Sequence, residues 1–174
     1  MAPDAPPSPW LLLNADLIPR TGQALDVACG EGRHSLLLAK RGLAVRAVDR
    51  ESSSIEALRA EAARQALNVT AEVLDLEAGE VTLGAGAYDL IVVVRYLHRP
   101  LFPALVEALA PGGVLIYETF TVEQARVGKP ANPGFLLKHG ELRTHLSSLT
   151  MLRELDGTLD GGHVSALAGR KPGG

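Results

Sequence analysis

Along the chain, short apolar runs alternate with stretches whose apolar residues recur at helical spacing. Ala24–Ala28 reads as a first strand that runs straight into glycines. Arg33–Lys40 then carries a helical pattern, closed by Gly42 in the usual C-terminal position. Ala44–Val48 predicts a second buried strand ending on Asp49. Ser53 and Glu56 follow in capping-box spacing, ahead of a helix with Ile55, Leu58, Ala62 and Ala66 on one face. Val69–Leu76 predicts a third strand containing Asp75, and Glu77–Ala87 a glycine- and alanine-rich loop. Tyr88–Val94 is the strongest strand signal, an unbroken apolar run after Asp89. Leu101, Leu105, Val106 and Leu109 mark a helix closed by Pro111, Gly112 and Gly113, and Val114–Phe120 a fifth strand.

Beyond Phe120 the alternation stops. Thr121–Gly140 has glycines, prolines and charges and reads as a long loop, either a lid or an excursion without function. Glu141–Leu149 predicts a helix. Met151–Asp156 and His163–Ala168 predict an antiparallel hairpin, with Gly157 and Asp160-Gly161-Gly162 turning between them. Strands alternating with helices imply an α/β fold with a doubly wound, mostly parallel sheet. Residues 1–20 read as an N-terminal arm, mobile as far as Pro9, with a short helix; residues 21–174 read as one domain.

Composition narrows the function. The 174 residues are 47% hydrophobic and only 4% aromatic, so Leu, Val and Ala must build the core. A formal charge of −3 lacks the concentrated positive field of nucleic-acid or membrane-surface binders. The single cysteine, Cys29, offers neither a disulfide nor a metal-ligand pair, which suits the cytoplasm. No apolar run approaches the ~18 residues of a membrane span. The proline-rich start has no basic n-region, so no signal peptide is expected.

Ligands of open parallel sheets sit beyond the carboxyl ends of the strands. The first end reads Asp26-Val27-Ala28-Cys29-Gly30-Glu31-Gly32. Its small residues permit close backbone approach, and the helix after it presents free N–H groups. Asp49 stands where a carboxylate accepts from both ribose hydroxyls, or alternatively caps the next helix. Asp75 stands where one accepts from the adenine amine, or is simply solvated. A dinucleotide site wants a further glycine where this chain has Ser35, and Glu31 is ill suited to a pyrophosphate. An NAD-dependent oxidoreductase is thus the second reading, and a non-catalytic cofactor-binding domain the third.

The run Leu25-Asp26-Val27-Ala28-Cys29-Gly30-Glu31-Gly32-Arg33-His34-Ser35 resembles motif I of class I S-adenosylmethionine-dependent methyltransferases. Arg33-His34-Ser35 and the short chain are most similar to the TehB-like group, and Ala110-Pro111-Gly112-Gly113 also matches. The resemblance implies a Rossmann-like seven-stranded sheet whose last strand lies antiparallel between strands five and six. It also implies S-adenosylmethionine as cofactor, held by Asp26, Ala28, Cys29, Gly30, Gly32, Arg33, Asp49, Arg50, Asp75, Leu76 and Arg95. Within that set Arg33 would meet the methionine carboxylate and Arg95 the methionine end. Ala28 replaces a glycine common in the family.

For the acceptor, the candidates are Tyr96 and His98 after strand four, and Glu118 within Tyr117-Glu118-Thr119-Phe120. His98 is either a base or a residue leading into the next helix, and Tyr96 either binds substrate or only walls the pocket. Arg95, Arg99 and Arg126 either attract an anionic acceptor or are solvated. Arg95-Tyr96-Leu97-His98 stands where enzymes of planar amide and base nitrogens carry an Asn/Asp-Pro-Pro-aromatic motif, which favours a small-molecule acceptor.

Overall fold

The computed structural model describes residues 4–174. Its seven strands are β1 (Gln23–Val27), β2 (Ala44–Asp49), β3 (Val69–Val73), β4 (Tyr88–Val94), β5 (Leu109–Phe120), β6 (Thr150–Leu159) and β7 (Gly162–Arg170). They form one sheet in the order β3-β2-β1-β4-β5-β7-β6. Only β7 runs against the rest, paired antiparallel to both β5 and β6. The strand order reverses between β1 and β4, whose register pairs Ala24 with Leu90 and Val27 with Val93. That reversal opens a crevice at the carboxyl ends of both strands.

Period-two alternation assigns side chains to the two faces. On one face Ala24, Val45, Leu90, Val92, Val114 and Ile116 pack against α1 (Pro9–Leu13) and α2 (Arg33–Lys40). α3 (Ser52–Arg64) joins them through Ile55, Leu58 and Ala62 against Ala47 and Ala71. On the other face Leu25, Val27, Ile91, Val93, Leu115 and Tyr117 lie under α4 (Phe102–Ala108) and α5 (Glu141–His145). Burial on both faces explains why the central strands are apolar throughout.

Several boundaries differ from the sequence reading. β3 ends at Val73, because Asp75 turns its carboxylate back on the Glu77 N–H at 2.9 Å. The Ser53–Glu56 capping box does not form. α3 starts at Ser52 behind Glu51, whose N–H is taken by Asp49 at 2.9 Å. Ala110–Gly113 is strand rather than helix stop, entering β5 past an irregularity opposite Tyr88 and Leu90. Gly113 is needed there, since a Cβ would lie 2.8 Å from two carbonyl oxygens. α5 stops at His145, and Gly157 lies within β6. The β6–β7 turn is Asp160-Gly161 alone, both at positive φ as a type I′ hairpin requires.

Two segments are more ordered than expected. Residues 121–140 contain short 3-10 turns at Val122–Arg126 and Pro133–Phe135. Their returning end is fixed by a bridge between Thr121 and Leu137. The N-terminal arm, expected to be mobile, is held from Pro6 onward, while Met1–Pro3 lie outside the described residues. Trp10, Leu11 and Ile18 join the core, and the Trp10 indole N–H donates to the Leu167 carbonyl at 3.3 Å.

Candidate functional site

The glycine loop is built from the backbone outward. Cys29 N–H donates to Val48 O at 3.0 Å, tying the loop to β2, and Gly30 N–H donates to the Asp49 carboxylate at 2.9 Å. Gly32 starts α2 at φ +84°, and a Cβ there would sit 2.3 Å from Leu58 Cδ1. Only glycine meets both demands. Ala28 also adopts a positive φ, +53°, the conformation that favours the family's glycine at this position.

A cavity of about 380 Å³ opens over the carboxyl ends of β1, β2 and β4. Asp49, Arg50, Asp75, Leu76, Glu77 and Leu97 line it, Glu77 accepting from the Tyr96 hydroxyl at 3.3 Å, and Ala28 lies on its floor. The lining is completed by Arg95, whose guanidinium lies against the Phe120 ring, with Thr119, Pro130 and Phe135. Of the sequence candidates, Ala28, Asp49, Arg50, Asp75, Leu76, Arg95 and Tyr96 therefore share one cavity. Thr119 and Phe120 belong to the expected Tyr117–Phe120 set and Pro130 to the candidate lid, whereas Glu77, Leu97 and Phe135 escaped the sequence reading. Pro130 and Phe135 reach the cavity because residues 121–140 fold back, so Phe135 could not be singled out from its neighbours in sequence. Glu77 and Leu97 adjoin expected residues and were findable by proximity.

Other candidates lie elsewhere. Asp26 is buried behind the loop and accepts from the Ser35 hydroxyl at 2.6 Å. Burial pushes its carboxyl up to about 6. Cys29 packs among Leu36, Ile55 and Leu58, and burial raises its thiol far above neutrality, so it stays protonated. Gly30 and Gly32 shape the loop without lining the cavity. Arg33 donates to the Pro6 carbonyl, not into the cavity. His98 lines a separate groove with Glu80, Thr82 and Pro100. Glu118 shares the parity of Val114 and Ile116, and so points at the α1–α2 face, not into the cavity. There the Ser8 hydroxyl holds it, and burial raises its pKa.

Ser8 is the anchor of the arm. It caps α1 by accepting from the Trp10 and Leu11 N–H groups, and its own N–H donates to His34 Nε2 at 3.0 Å. Burial first, then Arg33 and Arg95, push His34 down to about 3, so it is a neutral acceptor.

Arg99 anchors the 121–140 segment. Its guanidinium binds Glu141 and donates to the Gly134 and Leu136 carbonyls at 3.2 and 3.0 Å. It is therefore not free to attract an acceptor. Arg126 is exposed and paired with Glu123 at 2.6 Å.

The donor set fits one adenosyl ligand better than another. Asp49 accepts from two backbone N–H groups and Asp75 from one, so both keep lone pairs for hydroxyl or amine donors. Three carboxylates on the cavity wall suit a sulfonium cation and oppose a pyrophosphate. No group of His, Cys, Asp and Glu suited to a metal ion occurs among the described residues.

This fold is shared by solved S-adenosylmethionine-dependent methyltransferases. More narrowly, the chain belongs to the TehB family: the family model described as "Tellurite resistance protein TehB" matches residues 12–158. The structure is similar to the crystal structure of TehB from Haemophilus influenzae, with a TM-score of 0.76 and 22% identity, over 92% of this chain and 61% of that one. It is also similar to an S-adenosylmethionine-dependent methyltransferase from Mesorhizobium loti, with a TM-score of 0.74 and 17% identity, over 92% and 96%. In sequence it is 35% identical over 100 residues to a ubiquinone biosynthesis O-methyltransferase of Coxiella burnetii. That match spans 55% of this chain and 42% of the relative, less than half of its length.

Proposed function

We propose that this chain transfers a methyl group from S-adenosylmethionine to a small-molecule acceptor. The observation that carries the reading is the placement of Asp49 and Asp75, at or just past the ends of adjacent strands, on one cavity floored by Ala28. In this reading Asp49 accepts from the ribose hydroxyls, with Arg50 beside it. Asp75 accepts from the adenine amine, while Leu76 and Leu97 flank the ring. Ala28 and the side of Arg95 face the methionine portion.

When bound, the cofactor supplies a methyl group already activated by positive sulfur. The protein's work is then to orient two reactants and exclude water between them. A small acceptor agrees with the cavity volume, with the −3 charge and with the O-methyltransferase relatives. No helix among the described residues is long and apolar enough to cross a membrane, and we assign the protein to the cytoplasm on its lone cysteine.

Calorimetric titration with S-adenosylmethionine and, separately, NAD tests the reading. Saturable micromolar binding of the first alone is expected; the reverse preference overturns it. Turnover against an acceptor panel separates the enzyme from a domain that only binds the cofactor.

A further inference from the structure

The end of the cavity that holds Arg95 has a composition the cofactor does not account for. The chain has three phenylalanines. Phe102 is stacked in the core on Tyr117 and His145, but Phe120 and Phe135 both line the cavity. Phe135 does so while 55% exposed, on a segment whose neighbours Leu136 and Leu137 are buried. Spending two of three phenylalanines on this wall marks it as a surface for a flat apolar body.

A cation stands against the same wall. The Arg95 guanidinium lies 5.5 Å from the Phe120 ring centre. Its acidic partner, Asp160, is 3.7 Å away and well exposed, and such a pair is weak in water. Arg95 also holds a strained backbone, φ +56°, with its N–H donated to Glu118 O at 2.7 Å. Side chains held this way cluster at functional sites.

The carboxylates nearest this end are engaged: Asp160 pairs with Arg95, and Glu77 accepts from Tyr96. In the reading above Asp49 and Asp75 serve the adenosine, and His98 and Glu118 lie outside the cavity. Tyr96 donates its hydroxyl to Glu77 at 3.3 Å, and burial followed by that carboxylate raises its pKa, so it stays a phenol. Among the described residues no histidine lines this cavity.

We propose that the acceptor is an aryl oxide or aryl thiolate that binds already deprotonated, its ring against Phe120 and Phe135 and its anionic atom facing Arg95. The inference rests on the methyltransferase reading above. A lone pair of the anionic oxygen or sulfur forms the new bond to the methyl carbon. The bond from that carbon to the sulfonium sulfur breaks, and its electron pair stays on the sulfur as a neutral thioether. The acceptor's proton has left to solvent before binding, so none moves in the site. Arg95 is then a catalytic residue, and Phe120 and Phe135 position the acceptor.

4-Nitrophenol and 4-nitrothiophenol are suitable probes, because their anions absorb visible light. Each is titrated with pH on the full chain saturated with S-adenosylhomocysteine. At least one bound probe should titrate about one unit below its free value, as a cation at close range dictates. Arg95→Met should abolish that shift, and Asp160→Asn should enlarge it. Phe135→Ala should weaken probe binding by about tenfold with S-adenosylhomocysteine affinity unchanged. The probe with the larger shift tells oxygen from sulfur. Failure of both probes to bind, an unshifted bound value for both, or a shift that survives in Arg95→Met overturns the proposal. So does loss of S-adenosylhomocysteine binding in Arg95→Met alone, which would put the guanidinium on the methionine carboxylate. Loss of that binding in the unaltered protein overturns the methyltransferase reading instead.

Discussion

The arm docks only while His34 is neutral, because Ser8 N–H donates to its Nε2. The imidazole is 4% exposed, and burial with two nearby guanidiniums lowers its pKa from 6.5 to about 3. A folded value below the unfolded one means that the unfolded chain takes up the proton first as pH falls. His34's contribution is therefore complete above about pH 6.5, declines by about 1.4 kcal/mol per unit below that, and is lost by about pH 3. At about pH 5 the loss is about 2 kcal/mol. Asp26 opposes it. With its folded value raised from 3.8 to about 6, the native state binds that proton more tightly, so stability rises as pH falls across this window. A wild-type profile alone would mix the two slopes.

His34→Gln separates them, because a carboxamide oxygen still accepts from Ser8 and does not titrate. Urea unfolding at about pH 7.5 and about pH 5 should cost the wild type about 2 kcal/mol more than the variant. Trp10 is the only tryptophan, and buried on the arm, so its fluorescence reports arm release directly. Equal losses in both proteins would refute the assignment of His34 as the acid-sensitive group.

Asp49→Ala should weaken S-adenosylmethionine binding by about 1–3 kcal/mol, read by calorimetry; an unchanged affinity rejects the ribose role. Gly32→Ala should lower stability by about 2–5 kcal/mol through its +84° φ and the clash with Leu58, with Leu58→Ala in the same chain restoring part of the loss in a thermal melt. Asp26→Asn should stabilise the fold by about 1–3 kcal/mol at about pH 8 and by much less at about pH 4, since the amide keeps the Ser35 bond without a buried charge. A loss at both pH values would show that the carboxylate has a further role.

The parts of the site that came from local pattern were legible in the sequence. Asp49 and Asp75 could be placed because a strand ending on an acid, next to a glycine loop, is a local arrangement. The arrangement around Ser35 likewise separated this loop from a dinucleotide loop. Glu118 misled for a physical reason: β5 is apolar on both faces, so its pattern does not reveal which face meets the cavity. Its register against β4 does, pairing Glu118 with Val94 on the face of α1 and α2. Phe135 and Pro130 depend on Arg99 gripping the Gly134 and Leu136 carbonyls across more than thirty residues. Contacts at that separation leave no periodic trace. The arm was misread because prolines announce extended chain but not whether a buried histidine and a glutamate await it.

The ends of β1 and β4 lie side by side, and each ends in a side chain at positive φ, Ala28 and Arg95. An L-residue held there costs about 1–2 kcal/mol, so the surrounding structure must impose both. For Arg95 the restraint is visible. Its N–H is drawn to the Glu118 carbonyl on β5, while the Glu118 carboxylate is held on the opposite face by Ser8. The N-terminal arm thus reinforces the strand position that turns Arg95 toward the cavity, although the arm contributes no lining residue there among those described. A glycine at Arg95 would remove the strain but also the cation. An arginine in relaxed extended backbone would continue along β4 instead of turning at its end. Retaining arginine in the costly conformation is understandable if its charge is needed at that point, beside Phe120 and facing the acceptor.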